Sequence, residues 1–181
     1  MKPGDLPLRL SKIRLLTLDV DGVLTDGRIQ VDDDGRETRV FHVLDGIGIK
    51  LLQRKGIEVA WITGSRAPAV AHRARQLAVT HLAMGADDKL APWQALCRSL
   101  GLDPQACAHM GDDLPDLPVM QACVLAVSVP HATAVVRAHA HYVTLREGGM
   151  GAVRELCDLL LAAQTEDRTG DAVDSARNLT S

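Results

Sequence analysis

Four short stretches of this chain carry side chains whose type and spacing could do chemistry. The first is Asp19-Val20-Asp21-Gly22, which sets two carboxylates two residues apart at a turn. Ionised, one can attack an electrophile; protonated, the other can donate to a leaving group. The second is Thr63-Gly64, a hydroxyl followed by open backbone N–H groups of the kind that hold phosphoryl oxygens. The third is Lys89, a single cation ahead of a helical pattern. The fourth is Gly111-Asp112-Asp113-Leu114-Pro115-Asp116, with three acids in one short turn. Such density repels itself unless a cation neutralises it. An all-oxygen set of this kind suits Mg2+, which takes one or two carboxylates and keeps several waters. A helix N-cap accounts for one of these acids, not for all three.

Other metal readings fit less well. Counted from Asp19, an EF-hand loop would put Leu24 where Gly is needed and Gln30 where Glu is needed; counted from Gln30, its two end positions are Gln30 and Phe41. The pair His139-Ala140-His141 has no evident third ligand.

The elements that must position these residues are legible as apolar runs alternating with helical patterns. Strands are predicted over 13–18, running into Asp19; over 58–62, ending at Thr63-Gly64; and over 81–84, 106–110, 124–127 and 142–145. Helices are predicted over 46–55, 67–77, 91–100 and 155–163, with Pro68 and Pro92 near starts and Gly56 and Gly101 at stops. This alternation predicts an α/β, three-layer, Rossmann-like parallel sheet covered by helices on both faces. Right-handed crossovers gather the carboxyl ends of the strands on one edge, where ligands bind in such folds. One segment breaks the rhythm: 27–41 reads as a protruding antiparallel β-hairpin around the polar turn Asp32-Asp33-Asp34-Gly35. The expected domain spans 1–164, and 165–181 reads as a polar, aperiodic, disordered tail.

Composition narrows the class of partner. The chain has 181 residues, 46% apolar and 24% charged, enough to bury a core without disulfide or metal staples. Its few aromatics (Phe41, Trp61, Trp93, Tyr142) argue against a stacking platform for single-stranded nucleic acid. A net charge of −3 with no basic stripe makes a nucleic acid or a membrane surface an unexpected partner. No apolar run reaches transmembrane length, and Pro3, Asp5, Pro7, Arg9 and Lys12 interrupt any signal core. Cys97, Cys107, Cys123 and Cys157 form no C-x-x-C pair and read as reduced thiols, so the expected compartment is the cytoplasm.

The combination says more than any member. D-x-D-G after the first strand, Thr after the second, Lys before a helix and G-D-D-x-x-D after the fourth, in that order, resembles the haloacid dehalogenase superfamily of phosphohydrolases. Within it, residues 19–27, 41–49, 111–120 and 148–155 look like the 3-deoxy-D-manno-octulosonate 8-phosphate phosphatases, a likeness covering roughly residues 10–164. The resemblance implies a Mg2+-dependent sugar-acid phosphatase of lipopolysaccharide precursor synthesis. It also implies no separate cap domain and a homotetramer in which the hairpin packs between subunits and a neighbour's C-terminal segment helps close the site. It implies Asp19 as nucleophile, Asp21 as general acid and then base, Thr63 and Lys89 as phosphoryl contacts, and Gly64 and Arg66 near the sugar, with Arg146 next. The metal ligands it implies are Asp19, the backbone carbonyl of Asp21, and Asp112, with Asp113 orienting Lys89 or a metal-bound water. Asp116 is either a supporting residue or an early helix acid.

Charge makes the cations necessary. Neighbouring unit charges of like sign repel by roughly 4 kcal/mol at ~4 Å in an effective dielectric of 20, and a phosphate dianion would join three carboxylates here. Two positions depart from the family's pattern: Ser65 stands where many relatives have Arg, and Met150 stands within Gly-Gly-x-Gly where a basic or polar residue is usual. Both lie where the sugar is expected, so another sugar-acid phosphate, such as an acylneuraminate 9-phosphate, is the rival substrate. A catalytically idle assembly module is the rival of another class, and retention of the full residue set argues against it.

Overall fold

The computed structural model describes residues 5–177, with side chains described as far as Gln164. Six parallel strands form its main sheet: β1 (Leu15–Leu18), β4 (Glu58–Thr63), β5 (His81–Met84), β6 (Cys107–Met110), β7 (Leu125–Ser128) and β8 (Tyr142–Val143), in the spatial order β5-β4-β1-β6-β7-β8. All four residues of β1 are buried. A continuous apolar run of this kind is stable only in a central strand with both faces covered, and β1 lies between β4 and β6. Trp61 and Trp93 supply the largest fully buried side chains in a core built mostly of Leu, Ile, Val and Ala, with Met110, Met120 and the four cysteines among them.

Helices cover the sheet. Helix α2 (Val43–Arg54) packs on α7 (Ala152–Arg177), which also receives α1 (Asp5–Ser11). Helix α4 (Leu90–Leu100) packs on α5 (Leu117–Ala122), and α5 on α6 (Ala134–His139). Helix α3 (Pro68–Gln76) lies close to α2, since a side chain at Gly46 would meet Arg73 and Leu77. The expected three-layer α/β architecture stands.

Several local expectations are corrected. The N-terminal stretch contains α1, because Pro7 falls in its first turn, where its missing N–H costs nothing. Helices α5 and α6 are too short for a periodic signal. The hairpin is antiparallel as expected but its paired part is only β2 (Gln30–Val31) and β3 (Glu37–Thr38). Its turn is closed by the Asp32 carboxylate, which accepts from the backbone N–H groups of Asp34 and Arg36. Helix α7 starts before the expected helix and its backbone runs on to Arg177. The expected disordered tail, 165–181, lies outside the residues whose side chains are described.

Candidate active site

Register sets the site. Leu18 is level with Trp61 of β4 and with Met110 of β6. The next residues, Asp19, then Thr63 at the end of β4, then Gly111-Asp112 after β6, therefore emerge together at the carboxyl edge of the sheet. Asp19, Thr63 and Asp112 line a cavity of about 470 Å³ with Asp21, Gly64, Lys89 and Asp113. Of the residues expected near the sugar, Gly64 lines it and Arg66 does not. Arg66 lines a neighbouring cleft with Arg36 and Ala67, and its guanidinium donates to the Gly85 carbonyl at 3.5 Å. Arg146 lies against Gly151, and Met150 is 54% exposed; neither lines the cavity.

The loop after β1 is tightly wound. The Val20 carbonyl accepts from the N–H groups of Val23, Leu24 and Thr25, and the Thr25 hydroxyl accepts from those of Gly22 and Gly27. Gly22 has φ +91°, and a Cβ there would lie 2.2 Å from Asp112 Oδ2, so only glycine lets Asp112 lie over this turn. The far side of the same loop is supported by 148–151: Gly149 N–H donates to the Val23 carbonyl, and a Cβ at Gly148 would fall 1.8 Å from the Gly22 oxygen.

Lys89, only 4% exposed, bridges two carboxylates: its Nζ is 2.8 Å from Asp19 Oδ2 and 2.7 Å from Asp116 Oδ1. The residue that orients Lys89 is thus Asp116 and not Asp113, which corrects one of the two roles expected of Asp113. Asp113 instead caps the short 3-10 turn Leu114–Asp116, accepting from the Leu114 N–H at 2.8 Å. Asp116 is fully buried and fully used. Its Oδ1 also meets His109 Nε2 at 2.9 Å, and its Oδ2 accepts from the N–H groups of Asp112 and Asp113. Beneath it, His109 Nδ1 lies 2.8 Å from the Thr17 hydroxyl of β1.

These contacts separate the carboxylates electrostatically. Burial opposes ionisation of Asp116, but the hydrogen bond and charge of His109, with Lys89, outweigh it and hold the carboxyl at about 2. Burial, then the negative charge of Asp116, lifts Asp19 to about 7 in spite of Lys89; the same causes lift Asp112 to about 7. Burial works against the Lys89 charge as well, yet Asp19 and Asp116 raise its pKa.

A cation fits here. One oxygen each from Asp19, Asp112 and Asp116 lie within 4.8 Å of one another, and Asp112 Oδ1 is buried with no hydrogen-bond partner. An orphaned buried carboxylate oxygen beside a second carboxylate is what a hard divalent ion would satisfy. Asp116 already has two partners on each oxygen, whereas Asp19 has one on each, the Val20 N–H and Lys89, so Asp19 and Asp112 are the side chains with lone pairs left for such an ion.

On the rim, Thr63 Oγ1 accepts from the Ser65 N–H, and Ser65 Oγ accepts from the Ala67 N–H, fixing the turn out of β4. From the hairpin, Arg39 reaches across: Nε donates to Asp21 Oδ1 at 3.1 Å, Nη1 to Glu37 at 2.5 Å and Nη2 to Ser65 Oγ at 3.3 Å. Sequence reasoning missed Arg39 and His109. Arg39 is one of several basic residues in a polar hairpin, and His109 is a lone polar residue inside a strand. Neither carries a signal without its tertiary partner.

The chain is similar to known proteins over most of its length. Residues 79–155 match the family model for haloacid dehalogenase-like hydrolases. The 3-deoxy-D-manno-octulosonate 8-phosphate phosphatase KdsC of Yersinia pestis is 47% identical over 160 residues, covering 88% of this chain and 86% of that protein. The 3-deoxy-D-manno-octulosonate 8-phosphate phosphatase of Moraxella catarrhalis, solved with magnesium ion, phosphate ion and a KDO molecule, superposes with a TM-score of 0.88 at 39% identity, covering 94% of this chain and 98% of that one. A haloacid dehalogenase hydrolase of subfamily IIIA from Legionella pneumophila matches with a TM-score of 0.88 at 48% identity, covering 90% of this chain and 89% of its own. With two carboxylates from adjacent strand ends poised for one ion, and identity of this extent, the chain belongs to the 3-deoxy-D-manno-octulosonate 8-phosphate phosphatase family of haloacid dehalogenase-like hydrolases.

Proposed function

We propose that this protein is a Mg2+-dependent phosphatase that hydrolyses 3-deoxy-D-manno-octulosonate 8-phosphate to the free sugar acid and inorganic phosphate. The observation that carries the reading is the convergence of Asp19, Asp21, Thr63, Lys89 and Asp112 on one cavity at the carboxyl edge of the sheet. Membership of the family supplies the substrate.

Asp19 Oδ2, held by Lys89, is the nucleophile that attacks phosphorus, giving an aspartyl-phosphate as the ester oxygen leaves. Asp21 donates a proton to that departing oxygen, then takes one from the water that hydrolyses the acyl phosphate. Thr63, whose hydroxyl already accepts from Ser65 N–H, has its own proton to give to a phosphoryl oxygen. Lys89 remains cationic throughout because Asp116 holds it from below while its charge faces the transferring group. Asp19, Asp112 and the backbone carbonyl of Asp21 would hold Mg2+. That ion offsets the repulsion between carboxylates and phosphate and stabilises the charge spread over the phosphoryl oxygens.

The assembly proposed is a homotetramer working in the cytoplasm. Supporting it are the apolar side chains left exposed on the hairpin and the adjoining face of α2, namely Ile29, Val31, Val40, Val43 and Ile47. The four free, buried thiols suit a reducing compartment. Among the described residues no helix is long and apolar enough to cross a membrane.

Phosphate release from a panel of sugar phosphates, with Mg2+ and with excess EDTA, tests the reading. The eight-carbon sugar acid ester is expected to be the best substrate, and chelation to silence the reaction. Full turnover in EDTA, or preference for an acylneuraminate 9-phosphate, would remove the metal or the substrate assignment respectively. The variant Asp19→Asn, folded as judged by circular dichroism, is expected to release no phosphate.

A further inference from the structure

The hairpin residue Arg39 has no place in the chemistry above, yet it spans the mouth of the cavity. Its side chain is only 3% exposed. Its Nε donates to Asp21 Oδ1 at 3.1 Å and its Nη2 to Ser65 Oγ at 3.3 Å, so one planar group ties the turn after β1 to the turn after β4. Glu37, from the same hairpin, holds Nη1 at 2.5 Å and fixes the plane of the guanidinium. A five-donor fork can make all three contacts at once; an ammonium cannot make them in fixed directions.

The consequence falls on Asp21. With 27% of its side chain exposed and no other side-chain hydrogen bond among the described residues, Asp21 would otherwise be free to rotate about its χ angles. The Arg39 contact occupies Oδ1 and leaves Oδ2 as the oxygen that can carry the transferred proton.

We propose that Arg39 is a positioning residue of the phosphatase, a hairpin-borne clamp that fixes Asp21 in the rotamer from which it serves the ester oxygen. The inference rests on the assignment of Asp21 as general acid and base. It adds that the hairpin reaches the catalytic apparatus of its own subunit. Because Arg39 works through Asp21, its contribution to the ester-cleaving step depends on how much the leaving group needs a proton, whereas hydrolysis of the aspartyl-phosphate is common to every substrate. A sugar alkoxide needs one; the 4-nitrophenolate ion leaves without it.

The test compares Arg39→Met, Arg39→Lys and Asp21→Asn on two substrates, 3-deoxy-D-manno-octulosonate 8-phosphate and 4-nitrophenyl phosphate, at saturating Mg2+. General acid catalysis contributes about 10²–10⁴-fold. Arg39→Met is therefore expected to lower the single-turnover rate of ester cleavage, the step that precedes the aspartyl-phosphate, by about 10²-fold on the sugar ester and by less than about 5-fold on 4-nitrophenyl phosphate, with substrate affinity moved little. Arg39→Lys, which keeps a donor for Asp21 but not the fork, is expected to fall between. The Mg2+ concentration for half-activation should stay unchanged in both. Equal losses on the two substrates, or no loss on either, overturn the clamp; if Arg39→Met does not fold, Arg39→Lys is judged by the same ratio. Asp21→Asn separates the two levels of argument. If it too shows no preference between leaving groups, the assignment of Asp21 fails. If it shows the preference and the Arg39 variants do not, only the clamp fails.

Discussion

Replacing Asp116 by Asn removes one charge and changes almost no volume, and its effect can be worked out from four hydrogen bonds. Oδ1 serves Lys89 and His109, and Oδ2 serves two backbone N–H groups, of Asp112 and Asp113. An amide has one acceptor oxygen, so its NH2 must face either the two backbone donors or Lys89 and His109. Whichever way it turns, two donors at a fully buried position lose their acceptor, and Lys89 is left with Asp19 as its one charged partner among the described residues. Removing one partner of a buried ion pair costs about 3–5 kcal/mol. For a chain of this size that lowers Tm by about 10 °C, at roughly 2–4 °C per kcal/mol. Urea titration checks it: at an unchanged slope of about 2 kcal/mol/M, the midpoint should fall by roughly 2 M. Asp113→Asn is the companion, because that carboxylate only caps an exposed turn, and it should cost about 1 kcal/mol or less. If Asp116→Asn is no more destabilising than Asp113→Asn, the buried network carries no such energy and the reasoning is wrong.

Other outcomes follow from the same geometry. Gly22→Ala forces a methyl to within 2.2 Å of Asp112 Oδ2 at a φ of +91°; it should cost about 2–4 kcal/mol and raise the Mg2+ concentration for half-activation at least ~10-fold, read by titrating activity against metal. Ala78, exposed and at φ +56°, is a non-glycine residue in the left-handed region, so Ala78→Gly should stabilise the protein by about 1 kcal/mol, measured by denaturant midpoint. Without metal, stability should fall as pH rises. Asp19 and Asp112 are lifted by burial to about 7, so the stability their protonated forms provide is complete below about 4 and lost as pH passes through about 7. Asp116, held at about 2, acts oppositely and only at lower pH. Tm in EDTA should thus decline between pH 5 and 8, and a flat or rising profile there would contradict it.

Much of the architecture could be read from the sequence because the strands that matter are central. A run such as Leu15–Leu18, buried on both sides, announces itself by continuous hydrophobicity, and the acids that follow it sit at the strand end by register alone. What could not be read are facts of partnership. Asp113 and Asp116 look equivalent in Gly111-Asp112-Asp113-Leu114-Pro115-Asp116, and only the turn between them decides that one faces solvent and the other faces Lys89. Arg66, next to the Thr63 motif, is nearer in sequence than Arg39 but points to another cleft, while a hairpin 26 residues upstream of Ser65 supplies the guanidinium. Short helices such as α6 lack enough turns to display a period.

The support that 148–151 gives to the turn holding Asp19 has a temporal side. Synthesis proceeds from the N-terminus, so the nucleophile emerges early, while the backbone that braces it, Gly148 beside Gly22 and Gly149 bonded to Val23, emerges near the end. A chain that stops at about residue 145 has all six sheet strands and every acid of the site, yet leaves that turn unbraced: the last-made backbone orders the first-made residue of the site.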